Sequence, residues 1–315
     1  VSRAAVLPAG ADPFLVAEWL RHFSTWASQV DKLYVTVCGQ EDPALRDYIA
    51  AKVEAVGGYI DFGPMGDHGQ VLGRLMSKVT EDLVMLCEDD AFVRVPDKIG
   101  ESFARIERGD VDIVGSPRGS GTPEVIDLAN RRFGIMTAST DEQGPLLWPC
   151  FLFAKRADLE RIGNYSVWRY QAGDTLLGHE FTSEQAMDTF GYASLMLRES
   201  GARIHVEPQY RADLAKMNEW GASQWFHVGS LSSGWGMYIC GPTAHQGIWA
   251  VLRGTNLEDW CKRVAFWEIL AERGDDLPVR DQYRASVAEL ARETGMDRAI
   301  IDDWRRKFLR LVTWT

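Results

Sequence analysis

The apolar positions of AAVLPAG, residues 4–10, run almost unbroken, and those of DPFLVAEWLRHFSTW then recur at the three-to-four spacing of a helix face. LYVTVCG, a β-branched run ending in Gly39, predicts a second strand. DPALRDYIAAKVEAVGG repeats the helical spacing, with Pro43 near its start and Gly57 and Gly58 past its end, and YIDFG supplies a short third strand. HGQVLGRLMSKV predicts a helix and DLVMLC a compact buried strand. A helix from about Asp97 to Arg108 and the strand VDIVGS follow. PRGSGTPEVIDLANRRFG is rich in turn formers and predicts a loop or lid. PLLWPCFLFAKRADLERIG reads as a strand and a short helix. TSEQAMDTFGYASLMLRES reads as a further helix, with Thr182 and Gln185 in capping-box spacing.

From about Thr255 onward, LEDWCKRVAFWEILAERG and two later amphipathic stretches predict a helical C-terminal subdomain, dividing the chain into 1–240 and 241–315. There is no internal repeat. Strands alternating with helices imply an α/β fold with a doubly wound, mostly parallel sheet. In such sheets ligands sit beyond the carboxyl ends of the strands.

One such end carries the most conspicuous chemistry in the chain. In LVMLCEDDAF, residues 83–92, a buried-looking apolar run stops at Glu88, Asp89 and Asp90 and resumes at once. Adjacent carboxylates repel and raise one another's pKa unless a cation or a set of donors compensates. The triplet therefore calls for a positive partner, although acidic clusters also occur as solvated turns.

Composition narrows the partners. The 315 residues are 46% hydrophobic with a formal net charge of -11, which fits a soluble globular protein and argues against coating nucleic acid through a general basic field. Five scattered cysteines without a Cys-x-x-Cys pair indicate reduced thiols and a cytoplasmic setting rather than a disulfide framework or zinc knuckle. The longest apolar stretch, PLLWPCFLFA, falls far short of the roughly 20 residues of a membrane-spanning helix. VSRAAVLPAG lacks the apolar core of a secretory signal, so no targeting address is expected.

The order of these elements carries a resemblance. An opening strand, helix and strand are followed by GDHGQVLGRLM, an apolar strand ending in EDD, a strand ending in FLFAKRADLERIG and a helix ending in RESGARIHVEP. Over roughly residues 4–235 this order is similar to nucleotide-sugar glycosyltransferases of the GT-A fold, particularly glycosyltransferase family 2. The C-terminal portion is not covered.

The resemblance implies site roles. The family's Asp-x-Asp motif places Glu88 on the donor ribose, where Glu stands for the usual Asp, and makes Asp90 the ligand of Mn²⁺ or Mg²⁺, with Glu88 and Asp89 beside it. A hard divalent ion prefers oxygen ligands and neutralises a departing diphosphate. Pro8 at the end of the first strand, and Asp67, Gly69 and Arg74 in GDHGQVLGRLM, stand where nucleotide contacts are expected. QWFHVGSLSSG is similar to a tail that follows the catalytic core in family members. It makes His227 a third metal-site residue and Ser230 and Ser232 phosphate donors, although a half-buried core histidine is nearly as common. For an inverting reaction the resemblance places a general base in GHEFTSEQAMDTF: Glu184 first, Asp188 one turn on, Glu180 before the helix. Acids in a first turn also simply complement the helix dipole. Trp220, Trp225, Trp235 and Trp249 lie near His227 in the chain, where core packing is a better account than a sugar platform.

The resemblance thus implies a metal-dependent hexosyl- or pentosyltransferase that moves a sugar from a nucleoside-diphosphate donor, expected to be a UDP-sugar, to an acceptor hydroxyl. Two alternatives stay open: a non-catalytic nucleotide-sugar-binding module and a nucleotidyltransferase. The latter is disfavoured by the lack of a Gly-rich, Lys-bearing phosphate loop near the first strand. The acceptor is not legible. A glycan, a lipid-linked sugar, a protein side chain, a small molecule or a hydroxylated base in modified DNA would each present a hydroxyl. Net charge does not point to nucleic acid, and the basic and aromatic tail DDWRRKFLRLVTWT is better explained as a solvated helix face.

Overall fold

A computed structural model describes residues 1–118, 121–134, 146–207, 210–211, 225–229, 231–241 and 257–311. Strand β1 (Arg3–Ala9) lies inside a seven-stranded sheet and pairs in parallel with β2 (Lys32–Cys38) on one side and with the central strand β4 (Leu83–Cys87) on the other. Strand β3 (Tyr59–Gly63) closes the β2 edge. Beyond β4 the order continues through β7 (Leu146–Lys155) and β6 (Ile113–Arg118) to a short edge strand, Ile204–Val206. Strand β7 runs antiparallel to both of its neighbours, and every other pairing in the sheet is parallel.

The helices begin where local chemistry predicts. Asp12 precedes Pro13 and accepts the Phe14 and Leu15 amides at the start of α1 (Pro13–Phe23), satisfying amides that have no partner within the helix. Asp42 and Pro43 do the same for α2 (Pro43–Ala55), and Asp67 caps α3 (His68–Met76). Alternate residues of β1 feed two cores. Ala5 and Leu7 face α1, helix α4 (Asp97–Glu107) and the C-terminal helices, while Ala4 and Val6 face α3 and the helix Gly191–Glu199. The helices Leu257–Arg273, Arg280–Glu293 and Arg298–Leu311 share the first core, with Trp267, Tyr283 and Phe308 fully buried.

Two expectations are corrected. The segment expected to be a loop or lid holds α5 (Pro123–Phe133), which starts after Thr122 with Pro123 and stops at Gly134 in the left-handed region, φ 65°. Residues 182–187, expected to begin a helix, form a bend followed by a short strand, Gln185–Met187, which pairs antiparallel with Trp168–Tyr170. Thr182 and Gln185 do not form a capping box: both bond Glu124 of α5, through the Thr182 amide at 3.2 Å and Gln185 Nε2 at 2.9 Å. The helix starts only at Gly191, after Phe190 at φ 65°.

No helix among the described residues is long and apolar enough to cross a membrane. None of the five cysteines is in a disulfide.

Candidate active site

Strand β4 is buried throughout and delivers Glu88, Asp89 and Asp90 to the carboxyl end of the sheet, where three separate parts of the chain meet them. Asp89 Oδ2 accepts the Gly10 amide at 2.8 Å, from the loop after β1. The strand β5 (Ala91–Val93) pairs antiparallel with Trp225–His227, with His227 opposite Ala91, and the Val228 amide donates to the Asp90 carbonyl at 3.0 Å. That register carries His227 Nε2 to 2.9 Å from Asp90 Oδ1 and 3.2 Å from Glu88 Oε2. Asp90 Oδ2 also accepts the Leu231 amide at 3.1 Å, and His68 Nδ1 stands 3.7 Å from Glu88 Oε1.

The positive partner demanded by the triplet is therefore His227. Burial by itself disfavours the imidazolium, yet Asp90 and Glu88 hold its pKa up at about 9. Burial likewise works to raise Glu88 and Asp90, but the hydrogen bonds and charge of His227 bring both below the usual carboxylate range. Asp89 has no such cation. Burial, then the charge of Asp90, pushes its carboxyl well above the usual range, and its Oδ2 is anchored on the Gly10 amide.

The same atoms suit a divalent ion. Two ligands at right angles about an ion, each at about 2.1 Å, lie about 3.0 Å apart. The 2.9 and 3.2 Å from His227 Nε2 to the two carboxylates match that spacing, so a metal can take the position of the shared proton. Glu88, Asp90 and His227 would hold it.

A cleft of about 350 Å³ opens over this cluster. Besides the triplet and His227 it is lined by Pro8, Ala9 and Gly10 after β1, by Cys38, Met65, His68 and Val71, and by Asp188 and Thr189. The Trp148 ring meets the His227 ring edge-on at 4.6 Å, which closes the cluster toward the core.

Of the residues expected at the site, Pro8, Glu88, Asp89, Asp90, Asp188 and His227 line the cleft. Others are elsewhere for clear reasons. Asp67 caps α3 through the Gln70 amide, and Gly69 lets that helix pass the Tyr165 backbone, where a Cβ would stand 2.2 Å from the carbonyl oxygen. Arg74 reaches toward Cys38 Sγ, at 3.8 Å, and lies against Gly63. Glu184 is exposed and 3.5 Å from Arg169, and Glu180 is exposed on the strand His179–Glu180. Without the expected helix, neither acid is turned toward the cleft. Ser230, Trp220, Trp249 and the side chain of Ser232 lie outside the described residues. Trp225 and Trp235 are core residues, 0% and 3% exposed.

His68, Trp148 and Thr189 were not anticipated. His68 and Thr189 each adjoin a residue that was, but a one-residue error on a loop or helix start changes which side chain faces the ligand.

No protein-family model matches the chain, and no curated protein matches it. Solved structures similar to parts of it include glucosyl-3-phosphoglycerate synthase from M. tuberculosis, at 17% identity over 50% of this chain and a TM-score of 0.39. The same enzyme with Mn²⁺, UDP-glucose and phosphoglyceric acid superposes at 18% identity over 50% of this chain, with a TM-score of 0.36. A structure described as a mycobacterial protein covers 72% of this chain at 15% identity and a TM-score of 0.40. The chain spans 58% of the length of the first of these.

Proposed function

We propose that this chain is a metal-dependent glycosyltransferase that moves a sugar from a nucleoside-diphosphate donor, a UDP-sugar, to an acceptor hydroxyl with inversion. The observation that carries the reading is the convergence of Glu88, Asp90 and His227 on one point at the carboxyl end of β4. This is where a doubly wound sheet binds its ligand and where the sequence resemblance expects a metal. Mn²⁺ or Mg²⁺ bound there supplies positive charge to the diphosphate as it leaves.

The remaining chemistry belongs to the chain. Pro8 to Gly10 form the wall against which a nucleotide packs, and Asp89 keeps that wall in place through the Gly10 amide. Asp188, just after the strand Gln185–Met187, is a carboxylate that lines the cleft outside the triplet. It takes the acceptor proton as the hydroxyl attacks. This role passes to it from Glu184, which faces solvent. His68 flanks the diphosphate side as a donor next to Glu88. In this reading residues 1–240 carry the chemistry, and the helices of 241–315 brace it through Tyr283, whose hydroxyl donates to Asp12 beside the cleft wall.

A ligand that binds only the folded state raises the melting temperature, so the test is a thermal-shift panel of nucleotides and nucleotide sugars with and without Mn²⁺, followed by an assay for free UDP. A metal-dependent shift with UDP, together with UDP release in the presence of acceptor, is expected. A metal-dependent shift with no turnover toward any hydroxyl acceptor would favour a binding module. No shift with any nucleotide would end the reading.

A further inference from the structure

We propose that Cys150 is a fourth protein ligand of the ion held by Glu88, Asp90 and His227, so that the site prefers Co²⁺, Zn²⁺ and Cd²⁺ to Mg²⁺. The inference rests on the metal-dependent reading above. One ligand atom each from Glu88, Cys150 and His227 lie within 4.8 Å of one another. Two ligands on opposite sides of an ion, sulfur at about 2.3 Å and nitrogen or oxygen at about 2.1 Å, stand about 4.4 Å apart. The three ligand atoms are thus close enough to one another to share one ion.

Strand register shows why the cysteine is there. Cys87 pairs with Phe151 across the antiparallel β4–β7 ladder, so the next residue, Glu88, comes opposite Cys150. The β6–β7 ladder breaks at the same place. Gly115 pairs with Leu152 but Ser116 pairs with Trp148, which leaves Pro149, Cys150 and Phe151 as extra residues on β7. Irregularities of this kind re-aim side chains beside active sites, and Pro149, having no amide hydrogen, fits the break. Cys150 is 2% exposed, which keeps its sulfur away from bulk solvent.

Coordination sends the thiol proton to solvent and leaves a thiolate on the ion. A thiolate is a poor ligand for Mg²⁺, which takes oxygen, and a good one for the softer ions. The chemistry would then rank Mn²⁺ above Mg²⁺ as well, in the usual order of divalent affinities.

The test titrates the full chain with Co²⁺ in the absence of nucleotide. Visible d–d bands report binding at all, and a near-ultraviolet sulfur-to-cobalt charge-transfer band reports thiolate coordination. Wild type should show both. Cys150→Ser should keep the visible bands, lose the charge-transfer band and bind Cd²⁺ about tenfold or more weakly, with Mg²⁺ affinity changed less than about twofold. Visible bands without charge transfer in wild type, or a charge-transfer band that survives in Cys150→Ser, would overturn the role of Cys150 and leave the metal site standing. No Co²⁺ binding at all would overturn the metal-dependent reading and this inference with it. Should Cys150→Ser fail to fold, the wild-type spectrum together with Cys150→Ala decides.

Discussion

Asp12→Asn is expected to change how folding depends on pH. Asp12 is 0% exposed, its Oδ1 accepts the Phe14 and Leu15 amides at 2.9 and 3.1 Å, and its Oδ2 accepts the Tyr283 hydroxyl at 2.9 Å. Burial outweighs the hydrogen bonds from Leu15, Tyr283 and Phe14 and pushes the carboxyl from its ordinary 3.8 up to about 6. The folded state thus keeps a proton that the unfolded chain has released. That stabilising contribution is complete below the unfolded value and is lost as pH rises through about 6. The gap corresponds to about 3 kcal/mol at about 1.4 kcal/mol per tenfold change in proton affinity. Asparagine keeps the capping oxygen and does not titrate. The stability of Asp12→Asn relative to wild type should therefore rise by about 2.5 kcal/mol between about pH 4 and pH 8. Urea denaturation followed by tryptophan emission at several pH values measures it. A difference that is flat with pH, or that falls as pH rises, would refute the burial argument.

Three further outcomes are expected. His227→Ala leaves Glu88 and Asp90 buried without their cation, and should lower stability by about 3–5 kcal/mol, of which added Mn²⁺ recovers part in a thermal melt. Asp188→Asn should lower UDP release about 10²- to 10⁴-fold with donor affinity little changed, whereas Glu184→Gln should leave turnover as it is; the reverse pattern would return the base to Glu184. Gly69→Ala puts a Cβ 2.2 Å from the Tyr165 carbonyl oxygen, a backbone atom that cannot rotate away, and should cost about 3 kcal/mol in urea denaturation, the upper end of overpacking effects.

Much of the site could be read locally. Glu88, Asp89 and Asp90 stood out because an apolar strand ended in charges that had to find a partner, and the ends of strands in such a sheet are where ligands bind. Asp12, Asp42 and Asp67 each cap a helix that starts at the next residue, a local device, although Asp67 was expected among the nucleotide contacts. The start and stop of α5 were also written locally, in Thr122, Pro123 and Gly134, but the surrounding turn formers masked them. His227 was different: its place near the triplet rested on resemblance, because nothing in FHVGS says that a three-residue strand will dock on Ala91–Val93.

Hydrophobic periodicity and capping chemistry determined the elements, since both depend on neighbours within a turn or two of the chain. Contacts between distant segments lay beyond them. Thr182 and Gln185 had the spacing of a capping box, but Glu124 lies 58 and 61 residues away and its carboxylate holds both in a bend and short strand, which moved the helix start to Gly191. That shift, rather than any property of the acids themselves, turned Glu184 to solvent and Asp188 to the cleft. The antiparallel run of β7, and with it the position of Cys150 opposite Glu88, depends on strand order, which the alternation of strands and helices does not encode. The directions in which the triplet's pKa values move depend on three dimensions, because burial and the proximity of His227 act through space and not along the chain.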